Sequence, residues 1–314
     1  MSDLWTEKYR PKTLDGYVFK NNTMNKQVRE WLSNPTNKKI PIPNILLSGS
    51  PGVGKSTLAH IILNELKIPE QDRLILNGSR ENSIDVLRNK IVNFISIWPA
   101  GNFRVVMIDE ADHLSTQAQA AFRGEIERFS DSARFIFTLN YPHKIMPALH
   151  SRFQSLTFDS LDMEEFVVRL ISILDNEDIK YDLSDIDSYV NKTYPDLRKC
   201  INLLDQNSFD GSLHALNEKD DATTKDYLVE AYKLFKTGNY TKARKLVVSQ
   251  AQIEEYESVY RYFYQNLDMF GSDEIIQSEA VLKISKGLIN HSLCADAEIN
   301  LAATMIELSR ISKK

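Results

Sequence analysis

One string in the chain has the residue types and spacing to hold a phosphate. Gly49-Ser-Pro-Gly-Val-Gly-Lys55-Ser56 fits the pattern G-x-x-x-x-G-K-S/T. Its glycines let backbone N–H groups wrap an anion, and the helix expected to follow adds positive potential at its first turn. Pro51, Gly52, Val53, Gly54 and Thr57 are candidate nucleotide contacts. Lys55 has the length and charge to reach terminal phosphates, and Ser56 offers a hydroxyl to Mg²⁺. A second constellation, Asp109-Glu110, ends the apolar run Val105–Ile108. There Asp109 can anchor Mg²⁺ while Glu110 polarises an attacking water. Asn140 closes another apolar run, where it could sense a γ-phosphate or serve as the turn residue before Tyr141-Pro142. Asp112 extends the acidic string to Asp-Glu-Ala-Asp, a helicase signature, but other helicase motifs and a second α/β domain are missing. The six histidines show no ligand spacing, so no zinc site is expected.

These residues need elements that bring them to one edge. Asn44–Ser48, Arg73–Asn77, Arg104–Ile108, Arg134–Leu139 and Ser155–Phe158 read as short buried strands. Ser56–Leu66, a segment capped by Ser83 and Gln117–Phe129 read as helices. Alternation of this kind implies βαβ units and a parallel sheet covered on both faces. After Phe158 the pattern changes to amphipathic helices over 161–174 and 184–206. Residues 207–224, rich in Asn, Ser, Asp and Gly, read as a linker. From Lys225 the chain is helical again and rich in aromatics. The expected domains are an α/β nucleotide-binding domain over 1–158, a helical lid with its linker over 159–224, and a helical collar over 225–314.

The 314 residues, 42% hydrophobic and 26% charged, are enough for several packed cores and exclude a disordered chain. No run spans a bilayer and no apolar signal core opens the chain, so no membrane partner is expected. Two distant cysteines, Cys200 and Cys294, exclude a disulfide scaffold and fit a reducing compartment. Net charge is −5, yet residues 1–158 carry 20 Lys and Arg against 15 Asp and Glu, while 159–226 carry 7 against 17. The basic first half permits a local polyanion site.

Several further strings share one resemblance. Trp5-Thr-Glu-Lys-Tyr-Arg-Pro11 resembles the W-x-E-K-Y-R-P box of clamp-loader subunits of the replication factor C type. Arg104–Asp112 looks like their acidic motif, and Ala118-Gln-Ala-Ala-Phe-Arg123 is similar to their A-Q-x-A-L-R helix. Ser151-Arg152-Phe153 resembles their Ser-Arg-Cys motif, with Phe153 in place of Cys. Pro195-Asp-Leu-Arg-Lys199 looks like the start of their lid helix. That last string, with Asn77-Gly-Ser79, is most similar to the phage-encoded members of T-even type.

The resemblance implies an AAA+ ATPase fold using ATP and Mg²⁺. It also implies a hetero-oligomeric ring, pentameric in the family's manner, that acts on a sliding clamp and primer-template DNA in the cytoplasm. Under it Asn140 becomes the γ-phosphate sensor. Arg198 becomes a second sensor reaching from the lid, and Arg152 an arginine finger directed at a neighbouring subunit's ATP. Tyr9, Arg10 and Val18 would line the adenine pocket. Arg80, Ser83 and Arg88 would meet DNA phosphates, and Gln119 and Arg123 would couple DNA to the ATP site. The clamp-contacting surface is expected over 111–119. An AAA+ remodelling ATPase, such as a helicase loader, and a structural ring subunit with an unused ATP site are the alternatives.

Overall fold

The computed structural model describes residues 4–33, 38–80, 84–216, 226–251, 256–271, 273–291, 294 and 296–311, with the backbone alone for 84–88 and 226. The chain divides into two compact units, Met1–Ala215 and Leu216–Lys314.

The first unit opens with two helices, α1 (Trp5–Lys8) and α2 (Asn22–Ser33). Next come β1 (Ile45–Gly49), α3 (Lys55–Glu65), β2 (Arg73–Asn77), α4 (Ile84–Ser96), β3 (Arg104–Asp109), α5 (Thr116–Arg128), β4 (Ala133–Leu139), α6 (Pro147–His150) and β5 (Gln154–Phe158). The five strands form one parallel sheet in the order β2-β3-β4-β1-β5. β1, β3 and β4 are buried along almost their whole length. That burial explains why they read as continuous apolar runs rather than alternating ones. Alternate strand residues, Val106 and Ile108 on β3 with Phe135 and Phe137 on β4, share a core with Ile91 and Ile95 of α4 and Phe122 and Ile126 of α5. α3 touches β1, β3 and β4. An α/β AAA+ fold is thus built from the expected strands.

Phe153, the departure from the family string, belongs to this core. Its ring is 9% exposed and lies 4.6 Å from that of Phe137. The larger side chain fills the space beneath the sheet and leaves Arg152 at the surface end of the same turn.

Three helices complete the unit: α7 (Met163–Asn176), α8 (Leu183–Thr193) and α9 (Leu197–Asn207). The single helix expected over 184–206 is in fact two. Pro195 has no N–H to donate and crowds the preceding residue out of helical geometry, so the chain breaks over 194–196. Asp196 restarts it by accepting the Lys199 N–H at 2.8 Å. The linker expected over 207–224 is also partly ordered. Ser208–Phe209 (β6) pairs antiparallel with Ser212–Leu213 (β7) across Asp210-Gly211, both with positive φ. Asp-Gly is the residue pair that such a hairpin turn favours. Residues 217–224 of that segment lie outside the described residues.

The second unit holds α10 (Asp226–Lys236), α11 (Tyr240–Gln250), α12 (Tyr256–Gln265), α13 (Glu274–His291) and α14 (Ala297–Ile311). Its core draws on the aromatics of this region, with Phe235, Tyr256, Tyr260, Phe263 and Phe270 buried together, while Tyr264 is exposed. A buried polar knot pins α13 to α14 there. The Asn300 amide donates to the Tyr260 hydroxyl and to the Gly287 carbonyl, both at 2.9 Å.

Candidate active site

The turn after β1 is shaped by glycines that no other residue could replace. A Cβ on Gly49 would stand 2.2 Å from the Phe158 carbonyl oxygen, and one on Gly52, at φ 77°, would stand 1.7 Å from Asp196 Oδ1. The turn delivers Lys55 to the first position of α3. Its ammonium is buried and donates to the carbonyls of Gly49 at 2.8 Å and Ser50 at 2.7 Å, and to Asn140 Oδ1 at 2.9 Å. Burial pulls the Lys55 pKa down to about 8, against the opposing pull of the Asp109 and Asp112 carboxylates. Lys55 and Asn140, 85 positions apart, thus meet directly.

The acids follow on the neighbouring strand end. Ser56 Oγ donates to Asp109 Oδ1 at 2.7 Å, and the Thr138 hydroxyl of β4 donates to the same oxygen. Glu110 turns into the left-handed region at φ 55°, and its N–H reaches Thr138 Oγ1 at 3.3 Å. That turn frees its carboxylate, which has no hydrogen-bond partner among the described residues. Asp112, given no site role of its own in the sequence, is buried. It accepts the N–H groups of Asn140 at 3.4 Å and Tyr141 at 3.2 Å. A hydroxyl and a carboxylate side by side form an all-oxygen donor set that suits Mg²⁺. Among the described residues no cluster of three His, Cys, Asp or Glu forms a separate metal site.

Beside this edge lies a cavity of about 340 Å³ lined by Tyr9, Arg10, Val18, Gly54, Thr57 and Arg198, among others. Tyr9, Arg10 and Val18, expected against adenine from the resemblance, therefore share one pocket with Arg198. α9 starts against the phosphate turn, where the Arg198 N–H reaches the Gly52 carbonyl at 3.4 Å. Tyr9 is held by Glu177, whose Oε1 accepts its hydroxyl at 2.7 Å and the Lys8 ammonium at 2.6 Å. Tyr17 and Arg169 are among the lining residues that escaped the sequence reading. Tyr17 is buried, which pushes its hydroxyl pKa up, and it donates to the Gly54 carbonyl at 3.3 Å. Arg169, from α7, donates to the Tyr9 carbonyl at 2.5 Å. Pro51 is exposed and Val53 and Gly52 line the same pocket.

Other expected residues stand apart from it. Arg152 does not line this chain's pocket; its guanidinium lies against Glu127 of α5, with Nε donating to Oε1 at 2.9 Å. Gln119, which as part of a helix surface would have been exposed, is buried. Its amide donates to the carbonyls of Leu114 at 3.2 Å and Lys144 at 3.0 Å and accepts the Met146 N–H at 2.8 Å. Arg123 is exposed on the same helix. Burial also trims the surface expected over 111–119 to His113, Ser115, Thr116 and Gln117. Arg80 is exposed just past the end of β2. Ser83 lies outside the described residues, as does the side chain of Arg88, whose backbone belongs to α4. Among the described residues no helix is long and apolar enough to cross a membrane.

The chain is similar to known proteins. Residues 45–161 match the ATPase family associated with various cellular activities. The replication factor C small subunit of Methanococcus vannielii is 38% identical over 208 residues, 65% of this chain and 64% of that protein. That of Methanococcus maripaludis is 32% identical over 281 residues, 88% of this chain and 84% of that protein. The counterpart from Sulfurisphaera tokodaii is 36% identical over 248 residues, covering 77% and 74%. Among solved structures, a RuvB variant of Thermotoga maritima superposes with a TM-score of 0.59 at 19% identity over 82% of this chain and 91% of that one, a likeness of fold. With an intact phosphate turn, acidic strand end and polar partner for Lys55, the chain belongs to the replication factor C small-subunit family and is an AAA+ ATPase.

Proposed function

We propose that the chain is an ATP-hydrolysing subunit of a sliding-clamp loader, which opens a clamp and places it on primer-template DNA during replication. The observation that carries this reading is the meeting of Lys55 with Asn140 beside the Ser56–Asp109 pair, in a chain whose relatives are replication factor C small subunits. Lys55 neutralises charge on the terminal phosphates, and Asn140, already on the Lys55 ammonium, faces the γ-phosphate. Ser56 and Asp109 would hold Mg²⁺, which when bound would draw negative charge off the phosphate oxygens. Glu110 accepts a proton from the attacking water as that oxygen bonds to the γ-phosphorus and the bond to the bridging oxygen breaks. Arg198 contacts the phosphates from the lid, and the adenine sits against Tyr9, Arg10 and Val18.

The finer reading extends this to assembly. Residues 159–224 serve as lid and 225–314 as a collar for oligomerisation. The partners are other subunits in a pentameric hetero-oligomer, the clamp and DNA, with Arg80, Ser83 and Arg88 on backbone phosphates. Arg152 completes a neighbour's site, where such a finger accelerates turnover by roughly 10³–10⁵. Gln119 and Arg123 couple DNA to that site. The Pro195–Lys199 string supports a phage-type loader working in a host cytoplasm. The site's complete set of charged residues disfavours a structural subunit, and the relatives disfavour a remodelling ATPase.

The test is ATPase rate with and without primer-template DNA and clamp. Stimulation by both is expected. Lys55→Ala removes ATP binding in its own subunit, whereas Arg152→Ala spares binding and removes stimulated hydrolysis. A purified monomer that matches the assembled ring in rate refutes the finger in trans.

A further inference from the structure

The helix that carries Gln119 also holds Arg152, through Glu127 eight residues beyond that glutamine. α5 grips the segment between Asn140 and Arg152 at two places. Gln119 binds its middle, at the Lys144 carbonyl and the Met146 N–H. Glu127 binds its end, taking Nε and Nη2 of Arg152 on one carboxylate oxygen. The Arg152 Nη1 group is fixed by the Ala148 carbonyl of α6. A guanidinium has five N–H donors in a planar fork. These contacts occupy its side edge and leave an N–H of Nη2 without a partner among the described residues. The Arg152 side chain is 21% exposed and that of Glu127 59%, so the pair stands at the surface with the fork's free end open.

We propose that Glu127 is a positioning residue for Arg152, setting the guanidinium plane so that its open end meets the γ-phosphate of an adjoining subunit. The inference rests on the finger reading of Arg152. It adds that α5 contacts both the segment after Asn140 and the finger. Glu127 does not line the nucleotide pocket, and its effect passes through the guanidinium. An exposed ion pair contributes modestly, which sets the expected loss at about two- to fivefold in kcat.

The experiment uses the reconstituted loader with clamp and primer-template DNA, and reads kcat and KM for ATP. Glu127→Ala is expected to lower kcat by that factor with KM unchanged, and Glu127→Gln, which keeps an acceptor oxygen, to recover part of it. In an Arg152→Lys background, where the planar fork is gone, Glu127→Ala should cost nothing further. An equal loss in both backgrounds, an unchanged rate, or a faster one overturns the assignment. If Arg152→Lys itself leaves stimulated turnover intact, the finger reading fails, and that outcome is separate from failure of Glu127 alone. Thermal unfolding of the Glu127 variants should match the parent, since the residue lies on the surface.

Discussion

Thr138 offers the sharpest test of how the acidic edge is built. Its side chain is 1% exposed, in the middle of the sheet, with Leu47 of β1 beside it. The hydroxyl performs two tasks, donating to Asp109 and accepting the Glu110 N–H. Thr138→Val keeps the branched shape that suits a strand and opens no cavity, so only the polar loss remains. Leaving the Glu110 N–H without its acceptor costs about 1–3 kcal/mol. In a unit of this size each kcal/mol moves the midpoint by roughly 2–4 °C, so thermal unfolding should shift down by about 5 °C. Loss of the partner that orients Asp109 should also weaken Mg²⁺ use by roughly 10–100-fold, the ordinary effect of removing a group behind a metal ligand. The assay is calorimetric unfolding of the full chain together with a Mg²⁺ titration of ATPase in the assembled loader. Thr138→Ser should recover both. A Val variant with unaltered unfolding and Mg²⁺ half-saturation would refute the argument that this hydroxyl orders the edge.

Three other changes follow from geometry. Gly52→Ala places a methyl group 1.7 Å from the Asp196 carboxylate at a φ of 77°, so it should abolish binding of a fluorescent ATP analogue, measured by anisotropy, while the fold survives by circular dichroism. Phe153→Ala empties a core position against Phe137 and should destabilise the chain by about 3–5 kcal/mol in denaturant unfolding, with nucleotide affinity retained in the folded fraction. Asp72 is fully buried and accepts the N–H groups of Ala100 at 3.0 Å and Gly101 at 2.7 Å. Asp72→Ala strips both and should cost about 2–4 kcal/mol, read by the same unfolding curve, without altering ATP affinity.

The parts of the site that the sequence displayed are those where chemistry is written in consecutive residues. The phosphate turn needs its glycines and lysine side by side, and the acids need the end of a buried strand, so both were legible without coordinates. The missing parts are contributed across long separations. Arg169 reaches Tyr9 from 160 positions away, and Glu177 from 168. No spacing rule connects such residues, because the sheet order and the return of α7 set their distance. Thr138 was hidden differently: a threonine inside an apolar strand looks like any β-former until the neighbouring strand places Asp109 beside it. The burial of Gln119 was not legible because helical periodicity ranks faces by hydrophobicity, and a glutamine whose amide is fully bonded can sit on the buried face. The break at Pro195 and the turn at Asp210-Gly211 were present as signals, outweighed by the apolar periodicity on one side and the polar composition on the other.

The resting contacts of Lys55 explain why this turn is ready for a nucleotide. An ammonium has three donors, and here all three are engaged: two by carbonyls of the turn itself and one by Asn140. The lysine therefore needs no reordering of the chain to reach its working position, and the entropy of fixing a long side chain is already spent in folding. An arriving phosphate exchanges a neutral carbonyl partner for an anionic oxygen in a buried setting, where charge-assisted bonds are stronger. Asn140 can stay on the ammonium during that exchange. The β4–α6 connection, which begins at Asn140, is tied to Gln119 of α5. The same connection ends at Arg152. A single helix thus holds the segment that runs from Asn140 to Arg152, the two residues proposed as sensor and finger.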